Sequence, residues 1–197
     1  MKLKVCGLTR PEDLPAVAAA GAEYAGFILV PESPRRVTEE QARALFPVCR
    51  SLGLKPVLVV RNLPLPRLQE ILGRLQTEVV QLHGEEPPEY AASVTGAQVW
   101  KAFCLKEKET LQQALSFPCQ AVVADSGGGT GKPCAWDLAR ELAARRPTFL
   151  AGGLSPANLR QAISAVQPYG VDLSSGVEEA PGIKSHTKLQ QLGECMP

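Results

Sequence analysis

Eight short apolar runs, rich in β-branched residues, alternate with helix-like stretches along the whole chain. The runs are Leu3 to Val5, Tyr24 to Val30, Pro56 to Val60, Val79 to Leu82, Ala97 to Phe103, Gln120 to Ala124, Thr148 to Ala151 and Gly170 to Leu173. Several lack polar alternation, as expected of parallel strands covered on both faces. Helical signals fill the gaps. Thr9-Arg10-Pro11-Glu12-Asp13 offers a cap, an early proline and acids suited to a positive helix end. Thr38 and Gln41 have the spacing of a capping box, and Ser155-Pro156-Ala157-Asn158 repeats the cap-and-proline pattern. Residues 64–75, 87–94, 106–115, 135–144 and 184–192 supply the other helices.

Strand–helix alternation without a composition break predicts one α/β domain over residues 1–197. A closed barrel and a doubly wound sheet both fit that count. Glycines and polar residues follow six of the eight runs. A barrel brings all those strand ends to one face, whereas an open sheet gathers ligand groups at one crevice. No G-x-G-x-x-G follows the first run, which further disfavours a dinucleotide fold. The expected fold is therefore a single, compact (β/α)8 TIM barrel. At 197 residues the chain sits at the short end for that fold, which usually needs about 250, so helices and loops must be tight.

Composition excludes several classes of function. The net charge of +1, with acids and bases interspersed, gives no basic face for nucleic acid. No apolar run approaches the ~18 residues of a membrane span, and the N-terminal residues do not form a signal peptide. Six cysteines without a C-x-x-C pair read as free thiols in a reducing cytoplasm. Only two histidines are present, so no His-rich metal site is expected.

The seventh run ends in Gly152-Gly153 and the eighth in Ser174-Ser175-Gly176. Barrels often hold a phosphate between these two loops, at the start of a short extra helix. Glycines let backbone N–H groups approach closely, serines add hydroxyl donors, and a helix opening near Gly176 adds its positive end. Either loop alone could be a plain turn; their placement after consecutive strands favours phosphate. The partner is then a small phosphorylated molecule.

Cys6 ends the first run and Asp125 the sixth, both on the expected catalytic face. A thiolate serves as a general base, and a carboxyl in suitable surroundings as a general acid. Such a pair suits removal of a carbon-bound proton with protonation of a sugar oxygen. Taken singly, Cys6 could be a small buried residue and Asp125 a loop cap. The loop Gly127-Gly128-Gly129-Thr130-Gly131 is either a lid or a flexible linker; it is not a P-loop, since Pro133 follows Gly131-Lys132. Arg35 could grip a carboxylate or be solvated. His83 could contact substrate or fill a hydrogen-bonded pocket, and Lys101 could face the site.

Taken together, these blocks resemble the phosphoribosylanthranilate isomerase family. The matching blocks are Lys4-Val5-Cys6-Gly7-Leu8-Thr9, Gly26-Phe27 with Ser33-Pro34-Arg35, and Gln81-Leu82-His83-Gly84. They continue with Asp125, Gly128-Gly129-Thr130-Gly131 and Trp136, then Leu150-Ala151-Gly152-Gly153-Leu154 with Asn158. The last is Asp172-Leu173-Ser174-Ser175-Gly176-Val177-Glu178 with Pro181-Gly182 and Lys184. The resemblance implies an Amadori rearrangement of N-(5-phosphoribosyl)anthranilate without metal or cofactor. It assigns Asp125 as general acid, Cys6 as general base, Arg35 to the anthranilate carboxylate and Asp172 to a ribose hydroxyl. The chain departs from the family pattern at Cys134-Ala135, at Ser185, and at Arg61-Asn62, where the third strand end carries no aromatic residue. None of these removes the acid or the base. A metal-dependent pentose-phosphate epimerase would need more His and Asp ligands. An indole-glycerol-phosphate-synthase-like activity does not suit the Cys6/Asp125 pair. A catalytically silent phosphate-binding barrel is a third alternative, one that loss of the Cys or the Asp would favour; both are present.

Overall fold

The computed structural model describes residues 1–125 and 136–197. Eight parallel strands close into a barrel in sequential order: β1 (Lys2–Cys6), β2 (Tyr24–Ile28), β3 (Lys55–Val60), β4 (Val79–Leu82), β5 (Gln98–Cys104), β6 (Ala121–Asp125), β7 (Thr148–Leu150) and β8 (Gly170–Leu173). Closure pairs β1 with β8, with Lys4 opposite Asp172 and Val5 opposite Leu173. The connecting helices are α1 (Leu14–Ala19), α2 (Glu39–Ser51), α3 (Leu65–Leu75), α4 (Pro88–Ser93), α5 (Lys108–Ser116), α6 (Trp136–Ala143), α7 (Leu159–Val166) and α8 (His186–Cys195).

Strand alternation divides the core in two. Outward residues such as Leu3, Val5, Phe27, Leu58, Val60, Val80, Leu82, Val122 and Leu150 pack beneath the helices. The apolar stripe of α3, Leu68, Ile71, Leu72 and Leu75, is buried against them; each such side chain contributes about 1.5–3 kcal/mol. Inward residues fill the barrel, and their sizes are graded. Low in the barrel, Tyr24, Trp100 and Phe149 form a cluster, with ring centroids 4.8 Å apart for Tyr24–Trp100 and 4.4 Å for Trp100–Phe149. Nearer the C-terminal mouth the inward apolar residues are smaller, Ile28, Val59, Val123 and Ala151. The barrel is thus plugged below and open above, which creates the site.

The expected capping box at Thr38 is present: its hydroxyl accepts from Gln41 N, and the Gln41 side chain accepts from Thr38 N. Three local expectations need correction. The segment after Thr9 opens with a 3-10 turn over Pro11–Asp13 before α1 begins. Ser155 and Pro156 do not open the helix: Ser155 N donates to Asn158 Oδ1, residues 155–158 form a turn, and α7 starts only at Leu159. Lys184 does not open the last helix. It lies in a small antiparallel hairpin of β9 (Glu178–Ala180) and β10 (Ile183–Lys184), and α8 starts at His186. The glycine loop 127–131, read above as a lid or linker, lies outside the described residues.

Candidate active site

A cavity opens at the C-terminal mouth of the barrel. Its lining includes Cys6, Arg35, His83, Asp125, Gly152, Gly153, Asp172, Ser174 and Ser175, so nine of the eleven residues singled out from sequence meet there. Gly176 belongs to a 3-10 turn (Ser175–Val177) and seats against the Leu154 backbone, joining the loops after β7 and β8. Gly152 and Gly153 have φ of 82° and 64°, a left-handed backbone that side-chain-bearing residues rarely adopt. Asn158 Nδ2 donates to Gly153 O at 2.8 Å and fixes this turn. The loop after β7 and the serines after β8 thus share one rim of the cavity, as a phosphate cradle requires.

Cys6 is buried at the end of β1. A Cβ on Gly26, its register partner on β2, would lie 2.7 Å from Cys6 Sγ, so the missing side chain makes room for the thiol. Burial pushes the Cys6 thiol above its ordinary value. The nearby ammonium groups of Lys4 and Lys184 pull it down, and Asp172 adds to the rise. Lys4 precedes Cys6 by two residues on one strand and therefore shares its inward face. It is fully buried, and its Nζ donates to Asp172 Oδ2 at 2.6 Å across the β1–β8 closure. Burial would lower the Lys4 pKa, but Asp172 and Cys6 outweigh it and hold Lys4 charged.

Lys184, also buried, donates to Cys6 O at 2.6 Å, Ser174 O at 3.3 Å and Glu178 Oε1 at 2.8 Å. One side chain therefore ties the Cys6 strand end to the serine loop. Glu178 also takes a forked interaction from Arg35, with Nε at 2.9 Å from Oε1 and Nη2 at 2.8 Å from Oε2. Burial would raise Glu178, yet these two cations hold it below the usual carboxylate range. Arg35 is thus held in place by Glu178, with Nη1 making no bond among the described residues.

Across the mouth, His83 Nε2 lies 3.6 Å from Asp125 Oδ2, and Gln81 Nε2 lies 2.9 Å from His83 Nδ1. Burial pushes His83 below its ordinary value, and the Asp125 carboxylate opposes the shift. His83 is therefore neutral near pH 7. His83 lines the cavity and is hydrogen-bonded to Gln81. Glu86 pins the neighbouring loops by accepting from Asn62 N at 2.7 Å and Gly84 N at 3.0 Å. The expectation that Lys101 could face the site is overturned. On β5 the inward residues are Trp100 and Ala102, and Lys101 points outward, where it binds Gly84 O and Glu86 Oε2 beneath the helices.

Lys4, Gln81, Lys184, Glu178 and Arg61 carried no role in the sequence reading. For Lys4 and Gln81 a signal existed, since each stands on a strand two residues before a candidate at that strand's C-terminal end. Arg61 is two residues beyond inward Val59 and lines the cavity with no ion pair among the described residues. No group of His, Cys, Asp or Glu among the described residues is arranged to hold a metal. No helix among them is long and apolar enough to cross a membrane.

Residues 3–194 match the family model described as N-(5'phosphoribosyl)anthranilate (PRA) isomerase. The N-(5'-phosphoribosyl)anthranilate isomerase of Pelobacter propionicus is 39% identical, over 98% of this chain and 93% of that protein. That of Geobacter metallireducens is 38% identical, over 98% and 96%. The crystal structure of phosphoribosyl anthranilate isomerase from Thermus thermophilus superposes with a TM-score of 0.90 at 40% identity, covering 99% of this chain and 98% of that one. A further isomerase structure, in complex with reduced 1-(o-carboxyphenylamino)-1-deoxyribulose 5-phosphate, superposes with a TM-score of 0.88 at 31% identity, covering 98% and 97%.

Proposed function

The chain belongs to the phosphoribosylanthranilate isomerase family and isomerises N-(5'-phosphoribosyl)anthranilate in tryptophan biosynthesis, and from that premise we propose which of its residues carry the reaction. Asp125 is the general acid and Cys6 the general base. Asp125 protonates the furanose ring oxygen as the C1–O bond breaks, and the anthranilate nitrogen supplies the electron pair that forms the Schiff base. Cys6, as thiolate, removes the C2 proton and gives an enolamine. Return of a proton to C1, with loss of the enol proton, yields 1-(2-carboxyphenylamino)-1-deoxyribulose 5-phosphate. Atoms and electrons balance within the substrate, so the rearrangement draws on no cofactor.

The observation that carries this reading is the shared mouth. A thiol on β1 and a carboxyl on β6 line one cavity, and the cradle of Gly152, Gly153, Ser174 and Ser175 occupies its β7–β8 rim. With the phosphate in that cradle, the ribose lies over the barrel axis between acid and base. Gly176 supports the cradle through its contact with the Leu154 backbone. Asp172, bound to Lys4 through Oδ2, offers Oδ1 to a ribose hydroxyl. Arg35, oriented by Glu178, directs Nη1 to the anthranilate carboxylate. His83 flanks the acid. The ligand is thus a small phosphorylated molecule, and a mechanism that needs a free thiol suits the cytoplasm.

The test is turnover of freshly generated phosphoribosylanthranilate, followed by fluorescence. Wild-type protein should convert it, the reduced product analogue should compete, and Arg35→Ala should raise KM for the carboxylated substrate. A folded wild type that leaves the substrate untouched would overturn the reading. An Arg35→Ala variant that lost only affinity for inorganic phosphate would show that the substrate had been placed backwards.

A further inference from the structure

Gln81 stands on the inward face of β4, is 1% exposed, and lines the cavity. Both ends of its amide carry information. An amide NH2 group only donates hydrogen bonds, so its 2.9 Å contact makes His83 Nδ1 an acceptor. The ring proton of neutral His83 is then on Nε2, the nitrogen 3.6 Å from the Asp125 carboxylate. The opposite tautomer would set donor against donor at Gln81. Gln81 therefore selects the tautomer that offers an N–H to the acid.

The other end, Oε1, is buried and makes no hydrogen bond among the described residues. Asp172 Oδ1 is in the same condition. Since β4 and β8 are four strands apart in a ring of eight, the two acceptors face one another across the barrel. Buried acceptors without donors are rare in native proteins, because the lost hydration is not replaced. Two of them in one cavity call for a ligand whose middle carries donors. The pentose of the substrate has hydroxyls there.

Resting on the function proposed above, we infer that Gln81 has two roles. It is a substrate-binding residue whose Oε1 accepts a hydrogen bond from a pentose hydroxyl. It is also a positioning residue that holds His83 in the Nε2–H form beside Asp125.

Gln81→Glu and Gln81→Leu separate the two roles. Glutamate keeps the acceptor but cannot donate to Nδ1, so His83 should move its proton to Nδ1. The expected result is lower kcat with near-normal affinity for the reduced product analogue. Leucine removes both functions, and affinity for the analogue should also fall, by about tenfold for one lost hydrogen bond. Nitrogen NMR of His83 in the wild type should show the proton on Nε2. A proton on Nδ1, or wild-type kcat and affinity in folded Gln81→Leu, would overturn the inference. So would losses in both variants that merely follow a fall in Tm. If the wild type binds the analogue but converts no phosphoribosylanthranilate, the function reading fails, while the tautomer and the affinities still judge Gln81.

Discussion

Replacing Lys4 by methionine tests the electrostatic centre of the barrel. Lys4 Nζ has no solvent exposure and lies 2.6 Å from Asp172 Oδ2, whose other oxygen has no partner among the described residues. Methionine would keep most of the side-chain volume but leave Asp172 as a buried carboxylate without its cation. Removing one partner of a buried pair costs about 3–5 kcal/mol, against a total stability of about 5–15 kcal/mol. Urea unfolding should show this as a lower midpoint with an unchanged slope. Adding Asp172→Leu to Lys4→Met should recover most of the loss, because an apolar pair leaves no charge stranded. The effect also has a pH signature. The Lys4 pKa is raised in the folded protein, so its contribution is full below the ordinary lysine value of 10.5 and is lost as pH rises through the folded value. The gap in stability between wild type and Lys4→Met should therefore close under strongly alkaline conditions as Lys4 loses its proton, and also under acid conditions as Asp172, whose pKa burial raises, gains one. A loss under about 1 kcal/mol, the scale of an exposed pair, would refute the reasoning, as would a double variant no more stable than the single one.

Two further outcomes follow from the site. Burial raises the Cys6 pKa above its ordinary 9.0, so the thiolate grows with pH and kcat/KM should climb through the alkaline range; a profile flat from neutral pH upward would contradict a Cys6 base. Gly26→Ala places a methyl group 2.7 Å from Cys6 Sγ and should cost about 1–3 kcal/mol by overpacking, with turnover falling as the thiol is displaced; calorimetry and the fluorescence assay on one sample would show whether both effects appear.

The barrel was legible because strand runs, turn glycines and capping residues are local signals. The eight apolar runs match the eight strands to within a few residues, and Thr38 and Gln41 cap α2 as their spacing required. The ends of strands could also be read, which is why Cys6, His83, Asp125 and the two loops after β7 and β8 meet in one cavity. What escaped depends on closure. Lys4 finds Asp172 at a separation of 168 residues, and Arg35 finds Glu178 at 143, contacts that no local window contains. The β9–β10 hairpin has strands of three and two residues, too short to show a period of two. Ser155-Pro156 was read as a cap followed by its proline, but residues 155–158 form a turn held by the Asn158 amide on Ser155 and Gly153, and the helix starts after it. Lys101 was misread because Trp100 and Ala102 take the inward positions of β5, and alternation then sends the lysine outward.

The central claim is that a thiol at the end of β1 and a carboxyl at the end of β6 act as base and acid on one substrate. The most direct measurement compares kcat/KM for phosphoribosylanthranilate in wild type, Cys6→Ser and Asp125→Asn, with circular dichroism and unfolding midpoints showing that each is folded. Both variants should keep the barrel and lose about 10²–10⁴-fold in rate, the usual contribution of a positioned acid or base. Near-wild-type turnover in either folded variant would contradict the assignment and require another group at the mouth to move that proton.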